Sequence, residues 1–354
     1  MYFLKNLLEL MSEKNASDLH LSIGSPPRIR INGDLVPIEG EKLTLEQIKK
    51  LLQEYISDDK LQEIKNGTEC DFTIGIPGLS RYRVNAFKQR GNIVATFRRL
   101  PFDIPNINKL GLPDTVLKLT DTRKGLLLIT GGTGSGKSTT LAAMVQKISN
   151  ELNGHIITIE DPIEYLYSHS KSLINQREIG IDSPSFAHAL KSSLRQDPDL
   201  VVIGELRDPE SMSTALTIAE KGHLVLGTLH TNNADGTITR LVDVFPPEKQ
   251  EIVRMNLSMS LIGVISQQLI PNIENARSLA IEILINTPSI KALIRENNIH
   301  QIDNYILSGS KDGMIRMDDA ILNLYTNNLI SEENALNHAI NYTDLSNRIN
   351  SKNI

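Results

Sequence analysis

The stretch Gly131-Gly132-Thr133-Gly134-Ser135-Gly136-Lys137-Ser138-Thr139 constrains the fold of this chain more than any other. It fills the pattern G-x-x-x-x-G-K-[ST] at every position, and such a loop works only between a buried strand and a helix. The glycines let the main chain curl so that successive N–H groups point inward at an anion. Lys137 adds a positive charge for phosphate, and Ser138 adds a hydroxyl for a divalent cation. Both flanks comply. Gly125-Leu126-Leu127-Leu128-Ile129-Thr130 is a short apolar run suited to a central parallel strand. Leu141, Met144, Val145, Ile148 and Leu152 follow at helical spacing, and Asn153-Gly154 marks a stop. The expected ligand is a nucleotide, cradled by the whole loop from Gly131 to Thr139, with Mg2+ held at Ser138.

A phosphate loop does not choose a reaction, and hydrolysis needs acids placed near it. In open α/β sheets, ligands bind at the carboxyl ends of strands. Two apolar runs end in acids. His155-Ile156-Ile157-Thr158-Ile159 leads into Glu160, Asp161 and Glu164. Leu200-Val201-Val202-Ile203-Gly204 leads into Glu205, which has the placement of a Mg2+-holding acid. Asp208-Pro209 then opens a helix that Lys221-Gly222 closes. A third run, Leu224 to Leu229, carries His223 before it and His230 after it. His230 falls on the phosphate side of such a sheet and His223 at the opposite end.

The 354 residues point to two or three domains. At 40% hydrophobic and 22% charged residues, the chain has the composition of a globular protein. No apolar run approaches the roughly 18 residues needed to span a bilayer, and the first residues lack the pattern of a signal peptide. A single cysteine, Cys70, excludes an internal disulfide and an all-cysteine zinc site, and fits a reducing cytoplasm. Net charge of −5 gives no support to a nucleic-acid partner.

Residues 1–100 read as a mixed α and β domain. Leu19, Leu21 and Ile23 alternate, Asn32-Gly33-Asp34 marks a hairpin, and Thr44-Leu45-Glu46-Gln47 fits a capping box. Pro101, Pro105, Gly111 and Pro113 punctuate an interdomain linker over 101–118. From 119 the rhythm is that of a parallel βαβ sheet, with helices expected to dominate after about 247 and a polar, fraying tail after Asn341.

Together the Gly131–Thr139 loop, Ile159 to Glu164, Val202-Ile203-Gly204-Glu205 and Gly222 to His230 resemble the secretion ATPase superfamily. They correspond to its Walker A, Asp box, Walker B and His box. Ala16-Ser17-Asp18-Leu19-His20-Leu21, Arg83 to Phe87, Leu173 to Glu178 and Val242 to Pro246 resemble the branch that powers type IV pilus retraction. The resemblance implies an α/β protein with an N-terminal PAS-like α+β domain and a C-terminal RecA-like P-loop ATPase domain with a helical C-terminal region. It implies ATP as the nucleotide, Glu164 as catalytic base, Glu205 at Mg2+, and the His223 and His230 pair. It also implies a homohexamer at the cytoplasmic face of the inner membrane that works on a pilus platform protein, peripheral to the membrane only through that partner and with no nucleic acid. Ser289 to Glu296 matches the family's coupling helix except at Ser289, Lys291 and Ala292, and Gly132 replaces a usual proline. The near absence of cysteines favours retraction over the zinc-bearing extension motors. An accessory retraction paralogue, an extension or secretion ATPase, and a RecA-like nucleic-acid motor remain open. The arginine that would meet the developing phosphate charge is expected among Arg81, Arg83, Arg98, Arg99, Arg195, Arg207 and Arg240, with Arg83 and Arg98 favoured.

Overall fold

The computed structural model describes residues 2–101 and 103–352. Met1, Asn353 and Ile354 at the ends, and Phe102 in the expected linker, lie outside the described residues. Packing divides the chain into two units. One holds residues 1–103 and Pro162–Leu166, and the other holds Ile104–Asp161 and Tyr167–Ile354.

The first unit opens with α1 (Leu4–Glu13), then β1 (Asp18–Leu21), β2 (Arg28–Ile31) and β3 (Asp34–Pro37). Next come α2 (Leu45–Gln53), α3 (Asp58–Lys65), β4 (Cys70–Ile76), β5 (Ser80–Gln89) and β6 (Asn92–Arg99). The strands form one antiparallel sheet in the order β3-β2-β1-β6-β5-β4. Asn32 and Gly33 both take positive φ, 50° and 96°, the twist a two-residue hairpin needs. Thr44 and Gln47 close the expected capping box on α2. Alternate residues of β5 are buried, and Tyr82, Val84 and Ala86 face a core shared with Leu4, Leu8 and Met11 of α1 and Ile48, Leu51 and Leu52 of α2.

Asp18 is the exception in this apolar setting. Only 4% exposed, it accepts from Ser17 Oγ at 2.7 Å and Arg98 Nε at 2.9 Å, with Arg30 at 3.8 Å. Burial pushes its carboxyl up, but the hydrogen bonds from Ser17 and Arg98 outweigh that and hold it below the ordinary value.

The second unit is built on α4 (Asp114–Leu119), β7 (Gly125–Thr130), α5 (Lys137–Glu151), β8 (His155–Glu160) and β9 (Leu173–Glu178). It continues with α6 (Phe186–Ser193), β10 (Leu200–Ile203), α7 (Pro209–Glu220), β11 (Leu224–Leu229), α8 (Ala234–Asp243) and α9 (Pro247–Ser260). The sheet is completed by β12 (Leu261–Pro271) and β13 (Arg277–Ile285). It runs β13-β12-β7-β11-β10-β8-β9, parallel throughout except for β13 at one edge. Leu126 and Leu128 pack into one core and Leu127 and Ile129 into another. Both faces are thus covered, which is why β7, β10 and β11 read as unbroken apolar runs. The rest is helical: α10 (Pro288–Arg295), α11 (Ile302–Ser308), α12 (Met317–Thr326), α13 (Glu332–His338) and α14 (Tyr342–Lys352).

One expectation needs correction, that of a fraying tail. Helices dominate after 247 as expected, and β12 and β13 pair over nine residues within that region. Both strands are buried on both faces over most of their length, with polar Ser266, Gln267 and Glu282 among the buried positions, so the alternation that marks a strand is missing. The stretch 101–118 contains a short 3-10 turn at Ile107–Lys109 and most of α4. Among the described residues the tail is an ordered helix: Leu345 and Ile349 are fully buried with Ile321, which anchors α14.

Replacing Asp18 with Asn should lower stability at pH 7 by about 1–3 kcal/mol, the scale of a hydrogen bond to a charged group. The depressed carboxyl stabilises the fold above the ordinary aspartate value of 3.8 and loses that contribution as the pH falls through and below it. Melting curves of wild type and Asp18→Asn should therefore converge toward pH 3, and an undiminished gap there would contradict this account.

Candidate functional site

Strand β7 ends at Thr130, and the loop Gly131–Gly136 delivers the chain to the first turn of α5. Gly131, Gly134 and Gly136 take φ of 145°, 78° and 92°, backbone that L side chains rarely adopt. Gly131 is doubly constrained. A β-carbon there would collide with the Gln267 carbonyl oxygen on β12 and with Ser135 Oγ. Gly132 has open space around it and no left-handed φ. Lys137 is 8% exposed, and its Nζ donates to the carbonyls of Gly131 and Gly132 at 2.8 Å each.

Two buried oxygens beside the loop, Ser135 Oγ and Gln267 Oε1, have no hydrogen-bond partner among the described residues. Gln267 Nε2 is fixed by donation to Thr140 Oγ1 of α5 at 2.9 Å. A cavity of about 340 Å3 opens here, lined by Gly132–Ser135, Asn232, Gln267–Leu269 and Asn337–Ile340. Gln268 Oε1 lies 3.2 Å from His338 Nδ1, which ties β12 to the end of α13.

The parallel register places the ends of β7, β11, β10 and β8 on one edge. There Glu205 accepts from Arg207 Nε at 2.8 Å and Nη2 at 2.7 Å, and lies 3.4 Å from His230 Nε2. Arg207 also reaches Asp161 at 3.5 Å. Arg207 is 55% exposed, so this pairing contributes at most about 1 kcal/mol to stability. The cluster gathers charge at the carboxyl edge of the sheet. Glu160 is engaged differently, accepting from Thr158 Oγ1 at 2.6 Å and Gln176 Nε2 at 3.2 Å.

Other expected residues are elsewhere. His223 precedes β11, whose six residues separate it from His230 by roughly 20 Å of strand, so the cluster does not include it. Glu164 is not on the sheet: after Asp161 the chain leaves β8, and Pro162–Leu166 packs with the first unit. There Arg81 Nη1 donates to the Ile163 carbonyl at 3.0 Å, next to the half-buried Glu164. Arg83 forms a forked pair with Asp71, and Arg98 pairs with Asp18 while its side chain stays 68% exposed. Of the arginines considered, Arg207 stands in the Glu205 cluster. Its signal was its place two residues beyond the Walker B acid. The Asn337–Ile340 wall had no sequence signal, because a polar stretch 200 residues from the loop carries no motif.

The oxygen donors Ser138 and Glu205 suit Mg2+, which prefers oxygen and keeps several waters and phosphates in its shell. Among the described residues no group of three or more His, Cys, Asp or Glu side chains could hold a metal by itself.

Gly131→Ala should abolish nucleotide binding, since the Gln267 carbonyl oxygen cannot move without displacing β12 and the φ of 145° is strained for alanine. Gly132→Ala should keep binding and raise stability by about 0.4–1 kcal/mol through a stiffer unfolded chain. Calorimetric titration with ADP on both variants checks this, and equal affinities would contradict it.

The chain matches the family described as "Type II/IV secretion system protein" over residues 2–309. It is 46% identical to the type IV pilus retractation ATPase PilT of Pseudomonas aeruginosa, over 93% of this chain and 96% of that protein. It is 40% identical to the type IV pilus ATPase PilU of the same organism, over 96% and 90%. Among solved structures, the pilus retraction motor PilT with bound ADP superposes with a TM-score of 0.92 at 45% identity, covering 98% of this chain and 100% of that one. The Legionella pneumophila ATPase DotB gives 0.83 at 27% identity, covering 94% and 95%. The chain belongs to the type II/IV secretion system protein family.

Proposed function

We propose that this chain is an ATP-hydrolysing motor that powers type IV pilus retraction and twitching motility. The observation that carries this reading is the convergence of the Lys137 loop with Glu205, His230 and Arg207 on one sheet edge, in a chain so close to PilT. A binding scaffold needs the loop but not the acid, histidine and arginine gathered beside it.

The loop N–H groups and Lys137 bind the β- and γ-phosphates. In binding, the Lys137 ammonium exchanges the Gly131 and Gly132 carbonyls for phosphate oxygens. Ser138 and Glu205 would hold Mg2+, which would supply charge neutralisation for the phosphates. Glu164 accepts the proton of the attacking water, and His230 senses the γ-phosphate through Glu205. His223 supports the strand end away from the phosphates. Arg83 or Arg98 from the first unit, with Arg207, meets the charge that develops in the transition state. Segment 101–118 absorbs the motion between units that turnover drives. The working assembly is a homohexamer at the cytoplasmic face of the inner membrane, acting on a platform protein of the pilus base and on no nucleic acid.

Glu164→Gln should bind ATP with little change and lose hydrolysis by about 100-fold or more, the lower range for removing a catalytic base. In cells, deletion of the chain should leave hyperpiliated, non-twitching bacteria that Glu164→Gln fails to rescue. Steady-state phosphate release within twofold of wild type would remove Glu164 as base, and bald deletion cells would overturn retraction.

A further inference from the structure

Both carboxylate oxygens of Glu282 accept from main-chain N–H groups. It lies on β13 and is 4% exposed. One oxygen accepts from Ala234 N at 2.6 Å and the other from Met317 N at 3.3 Å. Those are the first residues of α8 and α12, so a single side chain holds two helix starts. Its position in the sheet links it to the phosphate loop. Leu229, Thr130, Ser266 and Glu282 stand opposite one another across β11, β7, β12 and β13. Thr130 Oγ1, at the last residue before the loop, donates to Ser266 Oγ at 2.9 Å.

The segment His230–Asn233 runs from the end of that row to Ala234. Glu282 therefore fixes the far end of the loop that carries His230. A second carboxylate repeats the device. Asp318, 3% exposed at the start of α12, accepts from Ile340 N at 2.7 Å and Asn341 N at 2.9 Å. Ile340 belongs to the wall of the nucleotide cavity, across from Asn232.

We propose that Glu282 is a positioning residue for ATP hydrolysis: its carboxylate sets the His230–Asn233 loop and, through α12 and Asp318, the Asn337–Ile340 wall, so that the C-terminal helices fix the shape of the nucleotide site. This rests on the nucleotide-hydrolysing function proposed above. It gives the C-terminal helices a task in the chemistry rather than in packing alone.

The groups around Glu282 are mostly acidic. Asp235 on α8, Asp303 on α11 and Asp318 on α12 share a cavity of about 370 Å3 with it, together with Arg316 before α12 and Tyr342 on α14. Burial, with Asp235 and Asp303 adding to it, pushes the Glu282 carboxyl up to about 7 despite the two N–H donors. The charged form accepts both N–H groups fully and is populated above that pH. The same shift makes folding stability fall as the pH rises through about 7.

The experiment measures kcat and KM for ATP from pH 6 to 8.5 on the full chain, with melting temperatures alongside. Wild type should show kcat rising through an inflection near pH 7. Glu282→Gln keeps one acceptor oxygen but turns a donor toward the other N–H. It should lower kcat about tenfold at pH 8 and abolish the inflection, and its melting temperature should depend less on pH. Asp318→Asn should raise KM about threefold or more and keep the inflection. A wild-type profile flat through pH 7, a Glu282→Gln enzyme with wild-type kcat and inflection, or an unchanged KM in Asp318→Asn each overturns the proposal. Absence of any ATP hydrolysis by wild type would instead sink the underlying function, so the two failures are distinguishable.

Discussion

Parallel pairing of β7, β11, β10 and β8 is the constraint on which everything else depends. A parallel strand must begin where its neighbour begins, so every loop after a strand opens on the same edge. The phosphate loop, Glu205, His230 and Asp161 meet for that reason. Nothing in their sequence spacing brings them together. Burial on both faces secures the arrangement. At about 25 cal/mol per Å2 of apolar surface, each leucine or isoleucine of β7 contributes on the order of 2 kcal/mol, well above any surface ion pair in the cluster.

The loop itself is held by collision as much as by attraction. Gly131 passes so close to the β12 carbonyl at Gln267 that no side chain fits, while Lys137 closes the loop by donating to two of its carbonyls. β12 is therefore part of the nucleotide site. It contributes Gln267 and Gln268, and through His338 it joins α13 to the cavity. The C-terminal helices thus stand in the same network of buried polar contacts as the phosphate loop.

Much of this was legible in the sequence, for physical reasons. The loop is readable because phosphate binding needs glycine backbone and a lysine at fixed positions. The Asn32-Gly33 hairpin and the Thr44 capping box are readable because they are local, with partners three residues away. β12 and β13 escaped because strands covered on both faces show no alternation. Glu164 was read only as an acid beyond the end of an apolar run, and that run gives no sign that Pro162–Leu166 packs with another unit. Glu282 carried no signal, since a lone glutamate in Ala-Ile-Glu-Ile-Leu looks like a surface position, and only the arrival of two helix starts gives it a role.

The most direct test of the carboxyl-edge site is turnover by Glu205→Gln at saturating ATP and Mg2+. The substitution keeps shape and removes the charge that faces Arg207, His230 and the cation. The account predicts retained ATP binding and a fall in kcat of about 100-fold or more, roughly 3 kcal/mol of transition-state stabilisation. A kcat within about twofold of wild type would contradict it, because the edge would then hold charge without using it.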